Sequence, residues 1–144
     1  MRFNENSIFS VKTHINRLFQ GLKVIDLKIK DNKKDISDLL YKVIKKNTLK
    51  SGIIRLMITR GNTDKKIGKI NIPSIYISIK PFYEIPKKPV KIIYLSEQKF
   101  PIIRFSPAIK SMNYLGNMLA KKESQKHNAF EPVFYNNEGI ITEC

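Results

Sequence analysis

Lys110-Ser111-Met112-Asn113-Tyr114-Leu115-Gly116-Asn117-Met118-Leu119-Ala120-Lys121 is the stretch on which the reading of this 144-residue chain turns. Met112, Leu115 and Leu119 recur at helical spacing, so the pattern predicts a helix from about Ala108 to Lys126 with those side chains on its apolar stripe. On such a helix Lys110 and Tyr114, four positions apart, share a face. A lysine in a partly desolvated site gives up its proton more easily and can form a Schiff base. A tyrosine hydroxyl beside it can hydrogen-bond a phenolate oxygen. The same spacing fits a solvent-facing lysine next to a half-buried tyrosine, because lysines are common throughout the chain.

Downstream, Glu131–Tyr135 and Gly139–Thr142 read as strands joined by Asn136-Asn137-Glu138-Gly139, a hairpin signal. Upstream, Val90–Leu95 reads as a strand. Before it runs Pro81-Phe82-Tyr83-Glu84-Ile85-Pro86-Lys87-Lys88-Pro89, where three prolines in nine residues suit an extended linker. The expected organisation is a small lobe over residues 1–82, a linker over 83–89 and a second lobe over 90–144.

In the first lobe, Ile8-Phe9 reads as the end of a short strand, and Ser10 as the cap of a helix that buries Ile15, Leu18, Leu22 and Ile25. A second helix is expected from Asp35, a good cap, with Ile36, Leu39, Leu40, Val43 and Ile44 inward. Gly52 opens a strand, Ile53–Thr59, closed by the turn Arg60-Gly61-Asn62, and Ser74–Ile79 is a further strand. Helices and strands in this order predict an α+β fold.

With 42% hydrophobic residues the chain can bury a core. Its one cysteine, Cys144, excludes an intrachain disulfide and fits a reducing cytoplasm. No stretch approaches the roughly 20 apolar residues of a membrane helix, and Met1–Ser10 lacks the basic-then-apolar order of a signal peptide. With two histidines, His14 and His127, and one cysteine, no metal-ligand cluster is expected. The net charge of +15 points to anions. A basic nucleic-acid-binding module is one reading; a general attraction for anions, phosphorylated cofactors included, is the other, since the lysines are spread along the chain. Against that lysine bias only five arginines occur, Arg2, Arg17, Arg55, Arg60 and Arg104, and each calls for a reason.

The wider string resembles a known family. Lys110 to Lys121, then Glu131, then Asn137-Glu138-Gly139-Ile140-Ile141-Thr142-Glu143, is similar to the core signature of fold-type IV (class IV) pyridoxal-phosphate aminotransferases. That family includes branched-chain and D-amino-acid aminotransferases and aminodeoxychorismate lyase. Ile8-Phe9-Ser10-Val11-Lys12-Thr13-His14-Ile15-Asn16-Arg17-Leu18-Phe19 resembles its strand-then-helix stretch, and Ile54–Gly61 its strand ending in Arg-Gly.

The resemblance implies a class IV small α/β lobe plus the beginning of the cofactor-binding large lobe. It implies Lys110 as the lysine that holds pyridoxal phosphate and moves the substrate proton, and Glu143 as the acid paired with the pyridine nitrogen. It implies Arg17 as the grip on the phosphate, where a guanidinium binds two oxygens at once. Tyr114 is implied beside the cofactor; Arg55 and Arg60, inside or at the end of a family-like string, are candidates for a substrate carboxylate or equally ordinary strand-end charges, and His14 reads as helix scaffolding. The implied reaction is transamination between an amino acid, branched-chain or D, and a 2-keto acid, in a cytoplasmic homodimer. Aminodeoxychorismate lyase is the alternative, sharing the lysine, the acid and Thr142-Glu143-Cys144.

Family members carry a leading hairpin before the first strand and most of the large lobe after the acid. The chain is therefore expected to be truncated at both ends. In isolation it is expected to expose the apolar side of the Lys110 helix, to be poorly stable and to have little or no activity.

Overall fold

The chain folds back on itself within its first eight residues. Strands β1 (Arg2–Asn4) and β2 (Ser7–Ile8) pair antiparallel, Phe3 opposite Ile8. The reversal is made by Glu5, whose φ of 51° lies in the left-handed region. The sequence led us to expect a single strand ending at Ile8-Phe9; Phe9 instead lies beyond the ribbon and is exposed. The computed structural model describes residues 1–61, 72–105 and 109–144. These fall into two units, Met1–Tyr83 and Glu84–Cys144.

In the first unit β3 (Ser51–Thr59) pairs with β1 and with β4 (Ser74–Lys80), giving an antiparallel sheet in the order β2-β1-β3-β4. Helices α1 (Val11–Val24) and α2 (Lys33–Lys46) supply the rest of the core. Ile15, Ile36, Leu40 and Ile44 pack with Phe3, Ile8 and Ile54, all buried. The period of two along β3 decides which side chains join them. Ile54 and Leu56, opposite Ile79 and Ile77, belong to the core cluster, whereas Arg55 points away and is exposed.

Two cap assignments are corrected. Ser10 precedes α1, but at φ 50° its hydroxyl makes no capping bond; its carbonyl simply accepts the first helical hydrogen bond from His14. Asp35 does not begin α2. Asn32 does, accepting from the backbone of Lys34 and Asp35, while the Asp35 carboxylate reaches back to the Asn32 amide at 2.8 Å. Asp35 is thus the returning half of a capping box. Ile25, expected inside, is the C-cap and exposed, because the buried stripe of α1 ends at Leu22. Asn62 of the expected turn lies outside the described residues.

In the second unit β5 (Ile92–Ser96) and β6 (Glu131–Tyr135) run parallel, which demands a crossover. Helix α3 (Leu115–Lys126) lies in that crossover, and β7 (Ile141–Glu143) returns antiparallel along β6. The turn into β7 is built by Asn136, whose side-chain oxygen accepts from the amides of Glu138 and Ile140. Gly139 takes the left-handed position at φ 77°.

The expected long helix is corrected at both its start and its facing. Ala108 lies outside the described residues, and 109–114 are not helical. There the Tyr114 amide donates to the Met112 carbonyl at 2.9 Å and the Asn113 amide to the Ser111 hydroxyl at 3.3 Å, so local turns use the donors a helix would need. The first helical bond runs from Met118 to the Tyr114 carbonyl, which makes Tyr114 the cap residue. Lys110 and Tyr114 therefore do not share a helix face. Nor do Met112, Leu115 and Leu119 point inward: all three are exposed. The buried side of α3 is Gly116, Ala120 and Ser124. Small residues every fourth position let the helix sit against Phe100 and Phe134 at short range. A Cβ on Gly116 would lie 1.9 Å from the Pro101 carbonyl oxygen.

Candidate active site

The second unit contains a charged network that spans its sheet. Arg104 donates from both terminal nitrogens to Glu97, Nη1 to Oε2 and Nη2 to Oε1, each at 2.7 Å. This is the two-pronged geometry that makes arginine–carboxylate pairs strong. Glu97 directly follows β5, and its amide donates to the Tyr135 carbonyl, extending the β5–β6 ladder by one residue. The Thr142 hydroxyl of β7 also donates to Glu97. Glu97 thereby touches all three strands or their ends. The Arg104 hydrogen bonds hold the Glu97 carboxyl below the ordinary glutamate range, burial opposes this, and the Thr142 bond adds to the lowering. Arg104 is raised in turn by the same pair.

Glu143, next to Thr142 and at the end of β7, lies 3.7 Å from Nη2 of Arg104. That is close enough for attraction and too long for a hydrogen bond. Its carboxylate keeps its acceptor capacity. Lys110 is exposed and precedes α3; among the described residues it makes no hydrogen bond or ion pair. Tyr114, at the cap of the same helix, is also exposed. A shallow polar recess of about 430 Å³ is lined by Glu97, Gln98, Asn136, Asn137 and Glu138, and a second lies on α2. Neither recess is lined by Lys110 or Glu143.

The first unit holds a cluster of cations. Arg17 is exposed on α1, with Nη2 3.4 Å from Nδ1 of His14, one turn earlier. The α-amino group of Met1 donates to the Ile54 carbonyl at 2.8 Å. Its pKa is lowered by burial first, then by the charges of Arg17 and Arg55. His14 is lowered by burial, then by the same α-amino group and Arg17. Among the described residues no carboxylate pairs with Arg17 or Arg55. The cluster is suited to an anion. Arg60 lies beyond the end of β3 and is exposed.

Of the residues singled out from the sequence, the structure brings Arg17 and Arg55 into one electrostatic neighbourhood and leaves Lys110 and Glu143 on separate segments of the second unit. Glu97 carried no sequence signal, and Thr142 was seen only as part of the family-like string. Arg104 carried one, the scarcity of arginine, but not its partner.

The amino-transferase class IV profile matches residues 1–144, and the chain belongs to that family. It is 29% identical over 150 residues to a D-alanine aminotransferase of Listeria monocytogenes, covering 100% of this chain and 51% of that protein. It is 28% identical over 151 residues to an aminodeoxychorismate lyase of Bacillus subtilis, covering 99% and 50%. Among solved structures, the branched-chain aminotransferase of Thermoproteus uzoniensis with norvaline superposes with a TM-score of 0.78 at 20% identity, over 99% of this chain and 50% of that one. A hypothetical aminotransferase of Mycobacterium tuberculosis in its PLP-bound form gives 0.75 at 18%, over 97% and 51%. These structural likenesses establish the fold. The chain spans about half the length of the relatives it matches. Among the described residues no helix is long and apolar enough to cross a membrane, and no group of three or more metal-binding side chains occurs.

Proposed function

We propose that the protein to which this chain belongs transfers an amino group between an amino acid, branched-chain or D, and a 2-keto acid, using pyridoxal phosphate held by Lys110, and that it works as a homodimer. The observation that carries the reading is the class IV match across all 144 residues, with Lys110 just ahead of α3 and Glu143 at the end of β7. The donor set is chemically suited to the cofactor: among the described residues Lys110 forms no ion pair, Glu143 accepts no hydrogen bond, and no carboxylate pairs with Arg17 or Arg55.

Pyridoxal phosphate supplies an aldehyde and an electron-accepting ring. With the cofactor bound, Lys110 would hold its aldehyde carbon through Nζ and move the proton of the substrate's α-carbon. Glu143 would keep a proton at the pyridine nitrogen, and Tyr114 would donate its hydroxyl to the ring oxygen. Arg17 would bind the phosphate, and Arg55 and Arg60 would attract the substrate carboxylate.

The test is incubation of the full chain with excess pyridoxal phosphate, reading the visible absorbance of the lysine adduct. The proposal expects a component that is lost in Lys110→Ala; equal absorbance in the two proteins contradicts it. The assay reads capture and not product. A second reading, aminodeoxychorismate lyase, is favoured by the Bacillus subtilis relative and by Thr142-Glu143-Cys144. Loss of the Lys110 absorbance on adding D-alanine or L-valine favours transamination, and loss only with aminodeoxychorismate favours the lyase.

A further inference from the structure

We propose that Glu97 and Arg104 form a positioning pair for Glu143, with Glu97 holding the guanidinium off the Glu143 carboxylate so that Glu143 can accept a hydrogen bond from the pyridine nitrogen. The claim rests on the cofactor reading given above.

The geometry is asymmetric in an informative way. One guanidinium faces two carboxylates, and it satisfies only one of them. Its two prongs are engaged by Glu97 at 2.7 Å, while Glu143 stands at 3.7 Å. Glu97 is also the better fixed acid, with its side chain 17% exposed against 43% for Glu143. It is pinned by its backbone bond to Tyr135 and by the Thr142 hydroxyl. Thr142 is the neighbour of Glu143, so the bond that fixes Glu97 also fixes the strand end from which Glu143 projects. Remove Glu97, and the guanidinium's remaining carboxylate partner among the described residues is Glu143. Arg104 would then close the gap and occupy the lone pairs that the ring N–H requires.

This predicts an order of effects that a merely structural ion pair does not give. The full chain and its variants are titrated with pyridoxal phosphate, and affinity is read from the absorbance that disappears in Lys110→Ala. Far-UV circular dichroism and thermal midpoints are recorded on the same samples. Glu97→Ala leaves a competitor on Glu143 and is expected to weaken capture by about tenfold, the order of one charge-assisted hydrogen bond. Arg104→Ala removes the same fork and the competitor together, and is expected to weaken it by about threefold or less. The double variant is expected to recover to the level of Arg104→Ala. If Glu97→Ala does not fold, Glu97→Gln takes its place with the same order predicted. Equal losses in the two single variants, losses that track the thermal midpoints, or a double variant worse than both overturn the pairing claim alone. Absence of a Lys110-dependent signal in the unmodified chain overturns the cofactor reading, and the positioning claim falls with it.

Discussion

His14 sits among positive charges, with the α-amino group of Met1 and the Arg17 guanidinium both disfavouring its protonation after burial has done so. Its value in the fold lies below the 6.5 of an unperturbed imidazole. The unfolded chain therefore binds the proton more readily. The contribution of His14 to stability is complete above that ordinary value and is lost as the pH falls below it. If Arg17 receives a phosphate, the added negative charge must lift the His14 titration back upward. Inorganic phosphate is expected to raise the midpoint followed by NMR in the native chain and to leave it unmoved in Arg17→Gln. A midpoint indifferent to phosphate would remove Arg17 from the anion site. Arg17 was singled out because its string resembles a family and arginine is scarce in this chain. Its neighbour, the α-amino group, was not, since only folding brings residue 1 beside Ile54.

The short α3 shows what hydrophobic spacing can and cannot decide. Met112, Leu115 and Leu119 form a helical stripe in the sequence, and a helix forms over Leu115–Lys126, leaving Met112 outside it. Yet the buried side is Gly116, Ala120 and Ser124, because close approach to Phe100 and Pro101 rewards small size over apolar area. Gly116→Ala tests this at one atom. The new Cβ gains helix propensity of up to about 1 kcal/mol. It also meets the Pro101 carbonyl at 1.9 Å, a backbone atom that cannot move aside as a flexible side chain can. Overpacking of this kind costs about 1–3 kcal/mol, so we expect a net loss of stability in the second unit by thermal or urea unfolding. A variant as stable as the parent would mean that α3 does not pack as described. The helix start was unreadable for a different reason. The Ser111 hydroxyl takes the Asn113 amide and the Met112 carbonyl takes the Tyr114 amide, and which partner wins depends on surroundings that the sequence does not contain. Where the local signal was strong the strands were found closely: Glu131–Tyr135 matches β6 at both ends, and the Asn-rich turn before β7 formed around Asn136.

For the molecule as a whole, periodicity and proline placement were enough to read strands and helices on either side of a proline-rich stretch. The strand order was not readable, because pairing β5 parallel to β6 across α3 is decided by contacts far apart in the chain. The outward side of α3 carries Leu115, Met118 and Leu119, all exposed. The lysine, acid and arginine were named from strings that resemble a family, whereas the Glu97–Arg104 fork became visible only with coordinates.

The central claim is that one lysine among many is the cofactor's, and borohydride trapping tests it most directly. The full chain is equilibrated with pyridoxal phosphate, reduced, digested and mapped by mass spectrometry. The account predicts that the phosphopyridoxyl label concentrates on Lys110 and stays there when pyridoxal phosphate is made limiting. Label spread over the exposed lysines, with Lys110 undistinguished among them, would contradict it.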